Sequence, residues 1–229
     1  SRLSLPAAAE TSQRISGPLR RLETCGKPVA VAIQGAALGG GFELCLAGHY
    51  RVMADDAKTI VGLPEVRVGL LPGAGGTQRG PRMLGIATAP DLPLDGTHLG
   101  PAKALDLGLV DEIAPREEIV GRARAWVRDH GNAVQPWDAK GFRLPGGAGL
   151  SDPAIHALFA ARIAQVTKAT LRNYPAPIAI LSAVAEGTVL PIDRALAVEG
   201  RYFARLLTDP VARNLTRTMF INKGLADRL

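Results

Sequence analysis

The sequence predicts an α/β core followed by an all-helical C-terminal segment. Three observations carry that reading. Short apolar runs of strand length alternate with helix-period stretches over the first half of the chain. Two glycine-rich turns, Gly39-Gly40-Gly41 and Gly73-Ala74-Gly75-Gly76, stand where strand-like runs give way to helix-like ones. After Leu150 the apolar spacing is helical only. The order implies a core over residues 1–150 and a helical appendage over residues 151–229.

The elements follow in order. A loop opens the chain, and a helix starts at Pro18, capped by Ser16 or Gly17, because a proline at the first helical position loses nothing by lacking an N–H. Val29 to Ile33 is a near-continuous apolar run, as expected of a strand buried on both faces. A helix opens at Gly39-Gly40-Gly41 and runs to about Ala47, with Gly48 placed to stop it in a left-handed conformation. Tyr50 to Ala54 and Thr59 to Gly62 read as strands, the second leading into a Leu63-Pro64-Glu65 corner.

Gly69 to Gly76 is a loop and Thr77 to Leu84 a helix. Ala87 to Asp95 has helical spacing, but Pro93 would break its interior. Pro101 to Leu107 is a helix capped by Gly108, and a strand begins at Leu109-Val110-Asp111, where Asp111 reads as structural. Glu117 to Asp129 is amphipathic. Asn132 to Leu150 is an ordered loop, because Trp137 and Phe142 need somewhere to pack.

Four helices complete the chain. Asp152-Pro153 starts the first, with Ile155, Leu158, Phe159, Ile163 and Val166 as its stripe, and Asn173 to Pro177 stops it. Ile178 to Glu186 is the second, closed by Gly187. Pro191 starts the third, with Ile192, Leu196, Phe203 and Leu206 facing inward. Asp209-Pro210 starts the fourth, with Val211, Leu215 and Met219 in line, and a polar, charged segment ends at Leu229.

Composition narrows the function. The chain has 229 residues, 47% hydrophobic and 21% charged, as in ordinary globular domains. Aromatics are only 4%, so the core is built from Ala, Val, Leu and Ile. No apolar run reaches membrane-spanning length. The net charge of +6 suits an anionic ligand such as a nucleotide or a phosphate-bearing cofactor. Nucleic acid is disfavoured, since Arg and Lys are scattered and no aromatic stacking motif accompanies them. Cys25 and Cys45 form no CxxC pair and no His cluster lies nearby, which argues against a metal site and for reduced thiols.

The chemistry points to the stretch between Gly35 and Gly76. Consecutive glycines at a helix N-terminus let a ligand approach unpaired backbone N–H groups aligned with the helix dipole, a setting for an oxyanion. Glu43 stands between Phe42 and Leu44, and Glu65 between Pro64 and Val66. Carboxyls in apolar surroundings have raised pKa values, which suits proton transfer near neutral pH. Neither glycine run completes a GxGxxG fingerprint, because Leu44 and Gln78 stand where the last glycine belongs. No GxSxG elbow occurs.

KPVAVAIQGAALGGGFEL, GLPEVRVGLLPGAGGTQR and AKALDLGLVDEI resemble, in order and spacing, the signature segments of the crotonase (enoyl-CoA hydratase/isomerase) superfamily, over about Leu19 to Ile113. QPWDAKGF, NYPAPIAI and ALAVEGRYFARLL are similar to the hydratase region and linker helix of multifunctional fatty-acid oxidation α-subunits. The resemblance implies a ββα spiral core and an enoyl-CoA hydratase acting in fatty-acid β-oxidation. Glu43 and Glu65 match the family's two catalytic glutamates, and Gly40 matches the residue whose N–H forms half of an oxyanion hole. Gly39, Leu63, Pro64 and Gly73 match its oxyanion and substrate-binding surroundings. The implied reaction adds water to a trans-2-enoyl-CoA, with no cofactor required, since coenzyme A is part of the substrate.

The resemblance also implies an acyl-CoA thioester as partner, no nucleic acid and no metal, and an oligomer or a complex with a thiolase subunit. The implied compartment is the bacterial cytoplasm or the mitochondrial matrix. The family's first spiral turns, carrying the second oxyanion N–H and much of the adenine pocket, lie upstream of the first signature segment. The chain therefore reads as a hydratase without its front portion, with a sheet edge left unpaired. Gly80, Pro90 and Pro93 depart from the family pattern beside the acyl pocket. Enoyl-CoA isomerase and a non-catalytic acyl-CoA-binding or assembly subunit are the alternatives.

Overall fold

A computed structural model describes residues 4–223. The polar segment expected at the end of the chain lies largely outside the described residues.

Two strands and a helix make the repeating unit. β1 (Ala30–Ile33), β2 (Ala36–Leu38) and α2 (Gly40–Ala47) form one turn of a spiral. β3 (Tyr50–Ala54), β4 (Ile60–Gly62), a 3-10 turn over Pro64–Val68 and α3 (Gly76–Leu84) form the next. The second turn stacks on the first in parallel register, with Ala30 opposite Tyr50 and Leu38 opposite Gly62. β6 (Glu112–Ala114) extends the first sheet in the order β1-β3-β6, and β5 (His98–Leu99) closes the second, β2-β4-β5, antiparallel to β4. β1 and β2 thus stand at the edges of their sheets. Between the sheets and helices Phe42, Leu46, Met53, Leu63 and Leu109 are fully buried. Each such side chain contributes about 1.5–3 kcal/mol of hydrophobic stabilisation.

The helical segment packs onto this spiral. α7 (Pro153–Thr170), α8 (Pro175–Gly187), α9 (Ile192–Thr208) and α10 (Pro210–Thr216) follow the loop after α6 (Ile119–Asp129). Asp152 caps α7 by accepting from the Ala154 N–H at 2.8 Å. Residues of α8 and α9 share a core with Val66 and Leu71. The loop before α7 is ordered for the reason its sequence suggests. Trp137 packs with Ile192 and Leu196, and the Gln135 side chain donates to the Ala47 and Gly48 carbonyls. Among the described residues no helix is long and apolar enough to cross a membrane.

Several expectations are corrected. α1 runs from Leu5 to Thr24, with Ser4 as its cap, so Pro18 lies inside a helix rather than at its start. Ala8, Ser12 and Ser16 form a small-residue stripe that α1 buries against α9, where Gly200 stands close to Ser12. That packing outweighs the interior-proline penalty of about 3 kcal/mol. Gly48 ends α2 in an extended conformation, φ −70° and ψ 151°. It is glycine because a Cβ there would meet Val31 Cγ2 at 2.5 Å. Over Ala87–Asp95, where helical spacing and Pro93 conflict, the helix is confined to α4 (Asp91–Asp95), which puts Pro93 in its first turn, where no N–H is needed. The strand expected at Leu109 begins instead at Glu112, because the Asp111 carboxylate turns to accept from the Arg51 N–H at 2.7 Å. α7 ends at Leu171 and Arg172, both at positive φ, and Ile163 of its expected stripe is 40% exposed. Met219, in line with Val211 and Leu215, is also exposed.

Candidate active site

The site grows from the turn between β2 and α2. Gly39 has φ +57°, a conformation L side chains rarely adopt. Its N–H donates to the Gly62 carbonyl at 2.9 Å, and its carbonyl accepts from Phe42 and Glu43. Gly40 is the first residue of α2, so its N–H has no intrahelical partner, and it is exposed, with open space where a Cβ would stand. These are the properties an oxyanion donor needs.

One helical turn further, α2 buries Phe42 on one side and carries Glu43 to a loop on the other. Glu43 is 3% exposed. Its Oε1 accepts two backbone hydrogen bonds, from Ala74 N–H at 2.7 Å and from Gly76 N–H at 2.8 Å. Burial raises its pKa, while those two N–H groups and the Arg79 charge oppose the rise.

Glu65 sits on the 3-10 turn that Pro64 starts and Gly69 ends at φ +77°. It is half-buried, and its Oε2 is enclosed without a hydrogen-bond partner. Burial, and after it the charge of Glu43, pushes its pKa up to about 8. The two carboxyls therefore lie within electrostatic reach of each other but in unequal settings. Glu43 has two charge-assisted donors, and Glu65 Oε2 has none.

The other expected residues frame the pair. Gly39 packs against the Glu65 carboxylate. Leu63 is fully buried and contacts the loop near Gly76, and Pro64 is half-buried at the head of the 3-10 turn. Gly73 faces the other way. Its carbonyl accepts from Ser12 Oγ at 2.8 Å, and the Phe203 ring occupies the space a Cβ would need. Gly80 is buried with room beside it, the nearest side-chain atom being Ala89 Cβ.

Sequence reasoning missed the residues behind the loop. Glu199 on α9 is fully buried and accepts from Gly75 N–H at 2.6 Å, Thr77 N–H at 2.9 Å and Thr77 Oγ1 at 2.6 Å. Burial, with the Glu43 charge second, pushes its pKa up to about 8. Arg79 and Glu23 form a fully buried bidentate pair at 2.7 and 2.9 Å, and Arg79 also donates to the Ala74 carbonyl. With Arg79 committed to Glu23, no direct ion-pair partner is found for Glu43, Glu65 or Glu199 among the described residues. A signal for Glu199 was present: it occupies the gap between Leu196 and Phe203 in the inward stripe of α9. No signal announced the Glu23–Arg79 pair, which joins residues far apart in sequence.

Among the described residues no group of three or more His, Cys, Asp or Glu is arranged to hold a metal ion. The arrangement supplies a helix-terminal N–H donor, a buried carboxyl held by two backbone N–H groups and a second carboxyl with one oxygen enclosed and unpartnered.

Comparison with known proteins gives the family and the fold. The enoyl-CoA hydratase/isomerase family profile matches residues 3–135. The chain is 39% identical over 214 residues to the fatty acid oxidation complex subunit alpha of Shewanella sp. strain ANA-3, covering 93% of this chain and 30% of that protein. The chain thus spans about a third of the length of such relatives. Among solved structures, an enoyl-CoA hydratase from Bacillus anthracis matches with a TM-score of 0.50 and 25% identity, covering 85% of this chain and 59% of that one. An enoyl-CoA hydratase/isomerase from Pseudoalteromonas atlantica T6c shares the fold with a TM-score of 0.58 at 20% identity, covering 89% of this chain and 66% of that one.

Proposed function

This chain belongs to the enoyl-CoA hydratase/isomerase family, and on that premise we propose that it hydrates trans-2-enoyl-CoA thioesters in fatty-acid β-oxidation. The observation that carries the reading is the inequality of the two carboxyls. Glu43 is held by two backbone N–H groups, whereas Glu65 Oε2 is enclosed with none. Hydration needs one carboxylate as base and one carboxylic acid as proton donor at the same pH.

The thioester oxygen accepts from the Gly40 N–H, which draws electron density from the β-carbon. Glu43 takes a proton from water as the water oxygen bonds to the β-carbon. The alkene electron pair moves toward the thioester, and Glu65 gives its proton to the α-carbon. The product is the 3-hydroxyacyl thioester, and proton exchange with solvent restores the starting states. Coenzyme A belongs to the substrate, and its phosphates suit the chain's net charge of +6.

Similarity to the alpha subunit of the Shewanella fatty acid oxidation complex supports membership of such a complex. A thiolase subunit is the proposed partner, tested by copurification of thiolase activity with the native protein. The catalytic reading is tested by hydration of crotonyl-CoA in the native full-length protein. Glu43→Gln and Glu65→Gln are each expected to lower the rate by about 10²–10⁴-fold, the span of general acid–base catalysis. Unchanged rates in both would make the two-glutamate mechanism wrong. A loss confined to Glu65→Gln would favour an isomerase, and binding without turnover an acyl-CoA-binding subunit.

A further inference from the structure

We infer that Glu199 is a positioning residue for the proposed hydration, holding the Gly73–Thr77 loop from behind so that its Ala74 and Gly76 N–H groups meet Glu43. The inference rests on the reading of Glu43 as the base. Its basis is an alternation in the loop. Ala74 and Gly76 donate to Glu43 on one side, and Gly75 and Thr77 donate to Glu199 on the other. Four successive N–H groups are thus divided between two buried carboxyls.

Gly75 allows the alternation, because its φ of +114° turns the chain and its absent Cβ leaves room for the Arg79 guanidinium. The remaining restraints act on carbonyls. Ser12 donates to the Gly73 oxygen and Arg79 to the Ala74 oxygen. Among the described residues Glu199 alone takes the N–H groups of Gly75 and Thr77. Its removal would leave both buried and unpaired, each costing about 1–3 kcal/mol. The loop would relieve that cost by rotating its peptide units, and the geometry at Glu43 would be lost with them. A carboxyl at a fully buried helix position is itself unfavourable unless hydrogen bonds compensate it. This one comes from the helical C-terminal segment, so α9 reaches the back of the site.

The test is a double-mutant cycle in the native full-length protein with crotonyl-CoA as probe. Glu199→Ala is expected to lower kcat by about 10- to 100-fold, as a misplacement of about 1 Å does, with KM changed less than about threefold. In a Glu43→Gln background the same substitution is expected to cost no more than about twofold further, because its effect passes through Glu43. A kcat for Glu199→Ala within about twofold of the unsubstituted protein would overturn the assignment. So would losses that multiply in the double variant, the mark of a purely structural brace. Should the alanine variant not fold, Glu199→Gln carries the same cycle. It keeps the volume and one acceptor oxygen, and its expected loss is at least about threefold. A protein whose rate depends on Glu43 but not on Glu199 removes this inference alone. An unsubstituted protein that does not hydrate crotonyl-CoA removes it together with the proposed function.

Discussion

Glu65 Oε1 lies 2.9 Å from the point where a Cβ on Gly39 would stand. The glycine before α2 and the carboxyl on the 3-10 turn therefore share one small space. Gly39→Ala would force the Glu65 carboxyl away and strain a backbone at φ +57°. The backbone strain costs about 1–3 kcal/mol. Crotonyl-CoA hydration is expected to fall by about 100-fold, the effect of displacing a reacting group by about 1 Å. Thermal melting and steady-state kinetics on the same variant check both effects.

The raised pKa of Glu65 sets a pH dependence with a definite sign. In the proposed mechanism Glu65 must be protonated, so the hydration rate falls as pH rises through about 8. In Glu65→Gln the residual rate lacks that descending limb. A limb that persists unchanged in the variant would assign it to another group.

Stability follows the same group. The folded state holds a proton on Glu65 that the unfolded chain releases near its ordinary value of 4.5. The contribution is full below 4.5 and is lost as pH rises through about 8. The melting temperature is expected to fall between pH 6 and pH 9, and to fall less in Glu65→Gln. Calorimetry at a series of pH values reads the difference.

Gly73 and Phe203 are matched in size. A Cβ on Gly73 would meet the Phe203 ring at 2.5 Å. Gly73→Ala is expected to destabilise the protein by about 1–3 kcal/mol through overpacking. Phe203→Leu in that background is expected to recover part of the loss. Denaturant unfolding of the single and double variants measures it.

Arg79 and Glu23 are both fully buried, so breaking the pair leaves the Glu23 carboxylate with only its longer ion pair to Arg20 at 3.3 Å. Arg79→Met is expected to cost about 3–5 kcal/mol. It also removes the donor to the Ala74 carbonyl, so activity should fall along with stability.

Local signals were legible where local chemistry decides. The β1 run, the glycine start of α2 and the Asp152 cap of α7 all lie where apolar period, glycine and capping residues put them. Pro18 lies inside α1 because a proline's local preference is a weak prior against a long helix–helix contact, here of α1 with α9. Gly48 is ambiguous in the sequence because two different needs, a left-handed turn and close packing, ask for the same residue.

The site divides in the same way. Glu43, Glu65, Gly39 and Gly40 could be named from the chain alone, since each stands beside a turn that exposes or encloses it. The inequality of the two carboxyls could not. It depends on a loop more than thirty residues after Glu43 turning two N–H groups toward it. The brace behind that loop, Glu199, lies 122 residues beyond Thr77. Periodicity and motif spacing are properties of neighbours along the chain, and they were enough for the fold class and the candidate residues. Protonation depends on burial and on which donors reach a carboxyl. Those are properties of neighbours in space, and only the packing of α2, α3 and α9 around one loop determines them.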